Sequence, residues 1–408
     1  MPESCFKNLP ANCLPDPLTV QLQKFSALLI EQGYADETVR WKVKRITDFR
    51  QWLKQRGVAV ADLDEERVKA FLKRHHQERR GDLRTLQQFL DQLRRQKVIP
   101  ARSLPCDRSP LARLLSRYAI HLRTERGLVA HTIGQYQSFV SKFLLQRFRG
   151  RPLHLKAVKA SDVSDFVLRY TRSRVFKRAQ LMTTAFRSFF RFLFQKGELR
   201  ADLAAAVPTV ANWRLSTVPK YLSSEEVQRV LKACDRRTAT GRRDYAILLL
   251  LARLGLRAGE VVALQLDDLN WRAGEILVRG KGLFHDRMPL PSEVGKALAS
   301  YLRRDRPACQ TRRVFVCMKA PRRGFANPST LTTIVRRALA RADLHPTFKG
   351  AHLLRFSLAT SMLRSGATMG EIAEILRHRA LNTTEIYAKV DFQGLRSLAH
   401  PWPMGGGQ

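Results

Sequence analysis

The residues of this sequence that could do chemistry are cations, histidines and one tyrosine in the C-terminal half of the chain. They are Arg257, Lys281, His352, Arg355, His378 and Tyr387. Guanidinium groups suit a phosphodiester, because a planar fork can donate two hydrogen bonds to its non-bridging oxygens. A tyrosine hydroxyl could attack phosphorus, but its ordinary pKa of about 10 means that it needs a base or a strong positive field nearby.

Each of these residues also has a structural explanation when it is taken alone. An arginine at a helix end is usually structural, a lysine in a hairpin turn is usually solvated, and Tyr387 could be one more half-buried tyrosine. Exposed histidines are common in a basic chain, and we assign His75 and His76 in "KRHHQERR" to a solvated face. In "HLLRFSLAT", however, His352 and Arg355 are three residues apart and therefore share one face of a helix.

The order of the motifs is more informative than any single residue. "GLRAGEVVAL" contains Arg257, "VRGKGLFHDRMPLP" contains Lys281, "HLLRFSLAT" contains His352 and Arg355, and "LRHRALNTTEIYAKV" ends soon after Tyr387. In this order and at these intervals, they resemble the arginine box, lysine hairpin, His-x-x-Arg box and tyrosine box of the tyrosine recombinase (phage integrase) family. The resemblance covers residues 220–395, and the helical segment 110–207 resembles that family's core-binding domain.

The resemblance implies a reaction in which DNA is cut and rejoined through a covalent bond to the enzyme. Arg257 and Arg355 would bind the non-bridging oxygens and stabilise the charge that gathers there in the transition state. Tyr387 would be the nucleophile and would carry a 3′-phosphotyrosyl bond. Because that bond conserves the energy of the phosphodiester, the strands could be exchanged without ATP.

The remaining three residues would handle protons and orientation. His352 would accept the proton of the tyrosine, and His378 would hydrogen-bond the phosphate or orient its neighbours. Lys281, at the tip of the hairpin, would protonate the departing 5′ oxygen as a general acid. No cofactor and no metal are expected in this scheme.

The sequence departs from the family pattern at a few places without losing a catalytic group. Arg377 stands where the family usually has a glycine, Lys389 stands where a histidine often follows the tyrosine, and "FSLAT" replaces the commoner "HTFAT". We assign the acidic pair Asp267 and Asp268 to solvent or to capping. "GEILVRGKGL" lacks the spacing and the Ser/Thr of a nucleotide-binding loop, so a tight turn is expected there.

The overall charge indicates a polyanionic partner. The 408 residues include 73 Lys plus Arg against 35 Asp plus Glu, which gives a net charge of +38. The basic residues recur along the whole chain rather than on one amphipathic helix, which favours nucleic acid over a membrane surface. The longest apolar run, "AILLLLA", is far too short to cross a bilayer, and the N-terminus lacks a signal-peptide pattern.

The cysteines show no metal-binding spacing and are expected to be free thiols in a reducing cytoplasm. They are Cys5, Cys13, Cys106, Cys234, Cys309 and Cys317. We therefore expect a cytoplasmic, nucleoid-associated protein of bacterial type.

Three domains are expected in a mostly α-helical fold with a small β-sheet. Residues 1–105 form a helical module, 106–210 the SAM-like core-binding domain, and 211–408 a mixed α+β catalytic domain with a C-terminal tail. The first two look like copies, since apolar positions match at an interval of 94 residues, then 95. The pairs are Val39 and Ile133, Ile46 and Val140, Phe49 and Phe143, Val68 and Val163, and Phe71 and Phe166. The alternative is that two amphipathic helical segments resemble each other by chance.

The catalytic domain is expected to place its motifs on helices and one hairpin. "LSSEEVQRVLKAC" predicts a helix capped by Ser223 or Ser224, and "RDYAILLLLARLGL" predicts a buried helix. "GEILVRGKGLFHDRMPLP" predicts a β-hairpin, and further helices are expected near Ser329, Ala351 and Thr368.

Three functions remain open from the sequence. The first is a site-specific recombinase, an integrase or transposase of a mobile element, which would act on double-stranded DNA as a homotetramer, with partner recombinases as an option. The second is a type IB topoisomerase, and the third is a catalytically silent DNA-binding accessory protein. The tail after Tyr387 could dock on a neighbouring protomer through Leu395, Leu398 and Trp402, or fold onto its own domain.

Overall fold

A computed structural model of the protein describes residues 17–74, 81–101, 109–172, 176–210, 220–280, 285–378, 380 and 383–390. Its contacts divide the chain into two compact units, one of residues 103–216 and one that combines residues 1–102 with 217–408. Within the described residues the fold is mostly helical with one three-stranded sheet, as the sequence predicts.

The N-terminal module consists of four helices with a 3₁₀ turn, Val60–Asp62, before the third. The helices are α1 (Pro17–Glu31), α2 (Asp36–Lys54), α3 (Glu65–Arg74) and α4 (Asp82–Arg95). Acidic residues in the first turn of α2 and Lys54 in its last turn suit the helix dipole. Val39, Ile46 and Phe49 are buried on one side of α2, so its apolar spacing produces the core of this module.

The unit of residues 103–216 repeats this arrangement, again with a 3₁₀ turn, Leu155–Ala157, before the third helix. Its helices are α5 (Pro110–Thr124), α6 (Ala130–Phe148), α7 (Ala160–Arg172) and α8 (Phe176–Gln195). The helix α5 begins with Ser109 as its cap and Pro110 in the first turn. Ile133, Val140 and Phe143 are buried in the core of this unit.

The two modules also end in the same way. The amide of Val98 donates to the carbonyl of Leu93 at 2.9 Å, and the amide of Glu198 donates to the carbonyl of Leu193 at 2.9 Å. In both places the turn passes through a residue with positive φ, Lys97 at 57° and Gly197 at 70°. The matching order, 3₁₀ turns and terminal turns support the interpretation that the two modules are copies.

The C-terminal part builds one apolar core around a central helix. Its helices are α9 (Ser224–Lys232), α10 (Ala239–Arg253), α11 (Ala258–Ala263), α12 (Ser292–Arg304), α13 (Ser329–Arg341), α14 (His352–Arg364) and α15 (Met369–Ile375). The residues from Ala246 to Leu251 of α10 are fully buried, as "AILLLLA" predicts. Ser223 caps α9, since its Oγ accepts from the amide of Glu226 at 3.2 Å.

The predicted hairpin is present as two strands of an antiparallel sheet with strand order β1-β2-β3. The strands are β1 (Leu269–Asn270), β2 (Glu275–Arg279) and β3 (His285–Pro289). Ile276 pairs with Met288 and Arg279 pairs with His285, so the two strands lead directly into and out of the hairpin tip. The tip, with Lys281, lies outside the described residues.

The acidic pair Asp267–Asp268 is structural, as expected. Asp268 is buried, caps the amide of Gln265 at 2.8 Å and pairs with Arg279, whereas Asp267 is exposed and pairs with Arg312. In the described part of the chain, no three His, Cys, Asp or Glu side chains gather into a group that could hold a metal ion. None of the helices described is both long and apolar enough to span a bilayer.

Candidate active site

The first arginine of the site lies at the junction between α10 and α11. Gly255 ends the segment after α10 in a left-handed conformation with φ of 58°, and Arg257 then acts as the N-terminal cap residue of α11. Side-chain atoms of Leu376, Leu358 and Arg355 surround the place where a Cβ of residue 255 would be, the nearest at 2.6 Å. A glycine is strongly favoured at this turn, because a side chain would meet backbone strain and would have to displace Leu376.

The second arginine is buried in the first turn of α14. The side chain of Arg355 is only 3% exposed and donates to the backbone carbonyls of Gly255 and Leu376. Burial and the neighbouring charge of Arg257 lower its pKa to about 10, which leaves it protonated at neutral pH. The two arginines therefore lie close enough for their like charges to repel each other.

A buried carboxylate fixes the orientation of Arg257. The Nη1 of Arg257 donates to Oε1 of Glu260 at 2.8 Å, and the amide of Arg257 donates to Oε2 at 2.8 Å. Burial raises the pKa of Glu260, but the backbone hydrogen bond and the charges of Arg377 and Arg257 together hold it below its usual value. The Arg257 side chain is still 40% exposed, so its guanidinium remains accessible to an anion.

Tyr387 lies on the 3₁₀ turn Glu385–Val390 and is only 1% exposed. Its ring packs against that of Phe356, with the centroids 6.0 Å apart. Burial raises the pKa of its hydroxyl to about 12, and the charges of Arg355 and Arg257 oppose that rise. The hydroxyl is thus protonated in this structure and within the field of both arginines.

His378 is parallel to Tyr387 and connects with it through a threonine. The two ring planes differ by 2°, and their centroids are 6.3 Å apart. Nδ1 of His378 lies 2.8 Å from Oγ1 of Thr384, whose backbone carbonyl accepts from the amide of Tyr387 at 2.9 Å. Burial, with the charges of Arg355, Arg257 and Arg377, lowers the pKa of His378 to about 4. The imidazole is therefore neutral at pH 7.

His352 lies at the edge of this group. It is the first residue of α14 and is exposed, with its ring centroid 6.3 Å from that of Phe356, which in turn packs on Tyr387. The structure therefore brings Arg257, Arg355, His378 and Tyr387 together and places His352 one aromatic ring away. Lys281 lies outside the described residues.

Sequence reasoning missed two members of this site. Glu260 follows Arg257 by three residues, at the third position of a short helix, and this local spacing could have revealed the pair. Thr384 carries no signal of its own, because its contact with His378 depends on how the chain folds back after α15.

Comparison with known proteins shows the family. Residues 220–394 match the Phage integrase family, and residues 115–197 match the phage integrase N-terminal SAM-like domain. Over 392 residues, which span 95% of each chain, the protein is 44% identical to integrase/recombinase y4rA of Sinorhizobium fredii strain NGR234. The chain belongs to the phage integrase family of tyrosine recombinases.

Other members of this family of DNA breaking and rejoining enzymes show how far the likeness extends. The tyrosine recombinase XerC of Pseudomonas savastanoi pv. phaseolicola is 31% identical over 304 residues, which cover 70% of this chain and 95% of XerC. A structure of the XerH recombinase bound to its difH substrate is similar with a TM-score of 0.57 and 21% identity, over 70% of this chain and 83% of that one. A lambda integrase dimer on a core site gives a TM-score of 0.52 and 18% identity, over 69% of this chain and 96% of that one. The structural likeness confirms the predicted fold.

Proposed function

We propose that this tyrosine recombinase acts on double-stranded DNA as a site-specific recombinase of a mobile element and works through a 3′-phosphotyrosyl intermediate. The observation that carries the proposal is the convergence of Arg257, Arg355 and His378 around the hydroxyl-bearing ring of Tyr387. The name of the relative y4rA, integrase/recombinase, supports an integrase role. The net charge of +38 supports a DNA partner.

The two arginines bind the scissile phosphate. Arg257 is accessible to the phosphate directly. Arg355 is buried and both of its Nη atoms donate to backbone carbonyls, so the phosphate reaches it only after the site has opened. Their charges stabilise the transition state more than the ground state, because negative charge on these oxygens grows as the new bond forms.

In the cleavage step the bond from phosphorus to Oη of Tyr387 forms as the bond from phosphorus to the 5′ oxygen breaks. The proton of the tyrosine goes to His352, and Lys281 gives a proton to the departing 5′ oxygen. His378, neutral and held by Thr384, hydrogen-bonds the phosphate. Attack by a 5′ hydroxyl of another strand reverses these steps and completes the exchange.

The nucleophile needs a conformational change before it can react. Tyr387 is 1% exposed, so a DNA phosphate reaches its hydroxyl only after the 3₁₀ turn Glu385–Val390 has moved. The displaced hydroxyl leaves the apolar surroundings that raise its pKa. DNA binding thereby lowers the pKa of the nucleophile as it is brought into line.

The domains divide the work of holding DNA. Residues 211–408 carry the catalytic site, residues 106–210 are the core-binding domain, and residues 1–105 are a second copy of that domain that grips additional duplex. Recombination joins paired sites, so the working assembly is a homotetramer on double-stranded DNA.

A nicked suicide substrate tests the nucleophile. The duplex carries the DNA that flanks the protein's own gene. A nick beside the scissile phosphate lets the short fragment with the new 5′ hydroxyl diffuse away and so traps the adduct. Wild type is expected to form a covalent adduct that Tyr387→Phe abolishes, while Tyr245→Phe, which alters a half-buried tyrosine of α10, reacts as wild type does.

Two results would contradict the proposal. An adduct that persists in Tyr387→Phe would overturn the nucleophile assignment. Relaxation of a supercoiled plasmid that lacks these flanking sequences, without any joining of two duplexes, would assign the chain to the type IB topoisomerases instead.

A further inference from the structure

Arg377 occupies a backbone position that favours glycine. The helix α15 ends in a left-handed turn in which the amide of Arg377 donates to the carbonyl of Glu374 at 2.9 Å and the amide of His378 donates to that of Ala373 at 2.8 Å. This pair of hydrogen bonds requires positive φ at Arg377, and its φ is 53°. A side chain is disfavoured here, although Lys97 occupies the same position in the turn after α4.

The side chain of Arg377 reaches into the active site. Its Nη2 donates to Oε2 of Glu260 at 2.8 Å, and the side chain is only 9% exposed. Its Nη1 contacts Sδ of Met288 on β3, and its own carbonyl lies 3.4 Å from Nη2 of Arg257. Arg377 thus connects α11, the hairpin strand β3 and the segment that carries His378.

Glu260 is shared between two arginines. Arg257 occupies Oε1 and Arg377 occupies Oε2, which also accepts the amide of Arg257. A carboxylate that is 6% exposed needs cations and donors on both oxygens to remain charged and fixed. Without Arg377, Glu260 would keep one cation only and Oε2 would keep only the amide of Arg257, so the carboxylate would hold Arg257 less firmly in its orientation.

We propose that Arg377 is a positioning residue that holds Arg257 in its phosphate-binding orientation through the shared carboxylate of Glu260. The inference rests on the proposed role of Arg257. Met288 extends the connection to β3, the strand that leaves the tip with Lys281, so the same contact ties the hairpin to the arginine pair. Arg377 would act on the phosphate only through Arg257, since its two Nη atoms are engaged by Glu260 and Met288.

The test measures single-turnover cleavage of the suicide substrate in a double-mutant cycle of Arg377 and Arg257, with one control variant. Arg377→Gly removes the side chain and relieves the left-handed backbone, and Arg377→Lys keeps the charge without the planar fork. Each is made in wild type and in Arg257→Lys. Arg312→Gln, which breaks an exposed ion pair with Asp267, is the matched control and should cleave at the wild-type rate.

We expect Arg377→Gly to keep the melting temperature of the wild type and to cleave about ten- to a hundredfold more slowly, because a small displacement of a catalytic group is costly. In the Arg257→Lys background the same substitution should change the rate less than about twofold, since the two residues act as one unit. Arg377→Lys should fall between Arg377→Gly and wild type. A substrate with a methyl group in place of the non-bridging oxygen should lessen the effect of Arg377→Gly.

The inference is overturned if the effects of the two substitutions on the cleavage rate multiply in full, because Arg377 would then act independently of Arg257. It is also overturned if Arg377→Gly cleaves at the wild-type rate, or if the rates of both Arg377 variants only follow their melting temperatures. A wild-type protein that forms no adduct on Tyr387 would instead contradict the proposed function, so the two failures are distinguishable.

Discussion

At the scale of single residues, burial and charge together set which groups of the site carry protons. Burial lowers the pKa of His378 and raises that of Tyr387, and the charges of Arg355 and Arg257 add to the first shift and oppose the second. A neutral imidazole is therefore kept beside a protonated phenol. A bound phosphate would compensate these cations and so move the pKa of His378 back towards its ordinary value.

The pKa of His378 predicts a dependence of stability on pH. Its folded value of about 4 lies below the ordinary 6.5, so between these values the unfolded chain binds a proton that the folded protein does not. The free energy of unfolding should therefore fall as pH falls from 6.5 towards 4. Denaturant titrations of wild type and His378→Asn should give free energies of unfolding whose difference changes between pH 6.5 and pH 4.

One outcome would contradict this prediction. Parallel curves for His378→Asn would show that this histidine titrates normally in the folded protein.

The sequence could predict the motif residues but not the network that orients them. Arg257, Arg355, His378 and Tyr387 each lie in a short stretch whose residue order carries the signal. The bond between Arg377 and Glu260 joins positions 117 residues apart, so no local pattern records it. Arg377 was visible only as a departure from the family pattern.

At the scale of elements, the site depends on how α10 passes into α11. The turn at Gly255 brings its carbonyl to Arg355 and directs Arg257 into the cap of α11. The side chain of Leu376, from the segment that precedes His378, packs directly against this turn. Three motifs that are distant in sequence therefore meet at one glycine.

Gly255→Ala tests this junction. The substitution adds a methyl group at a φ of 58°, 2.6 Å from Cδ2 of Leu376, so it should lower the free energy of unfolding by at least about 1 kcal/mol. It should also slow cleavage, because Arg257 and Arg355 would be displaced together. Gly370→Ala lies in α15 with an ordinary contact at 3.8 Å and should leave both quantities nearly unchanged.

Equal effects of Gly255→Ala and Gly370→Ala on denaturant midpoints would contradict this account of the turn. The elements themselves follow from the sequence, since the alternation at Ile276 and Val278 predicts β2 and the apolar run predicts α10. The burial of Tyr387 could not be predicted, because it depends on the packing of its turn against α14 and α15.

At the scale of the whole molecule, the feature to test is the positive charge on the surface of the N-terminal module. The N-terminal module contacts the catalytic part through a backbone bond from Arg322 to the carbonyl of Gln32 at 2.9 Å. Its other faces carry exposed cations that include Arg40 and Lys44 on α2 and Lys69 and Lys73 on α3. Members of each pair are four residues apart and therefore project from one side of their helix.

Neutralising these four residues tests whether the N-terminal module binds DNA. The glutamine variant should weaken binding and reduce the slope of log K against log salt by about 0.9 for each phosphate that the module no longer neutralises. A footprint on the flanking DNA should shorten, while adduct formation on a short core duplex should continue at the wild-type rate.

A variant with four other exposed cations changed to glutamine controls for net charge. Its positions are Lys232, Lys296, Arg303 and Arg304 of the catalytic part. If both variants reduce the slope equally and leave the footprint unchanged, the N-terminal module has no specific role in binding DNA.

The enclosed position of Tyr387 has a consequence for how such a protein searches a genome. A DNA-binding chain with a net charge of +38 is expected to spend much of its time on DNA that is not its target, held there by phosphates alone. If Tyr387 is the nucleophile, as proposed, its burial keeps the strands being scanned from being cut. Under that proposal, searching and cutting are separated by the release of one short turn of backbone.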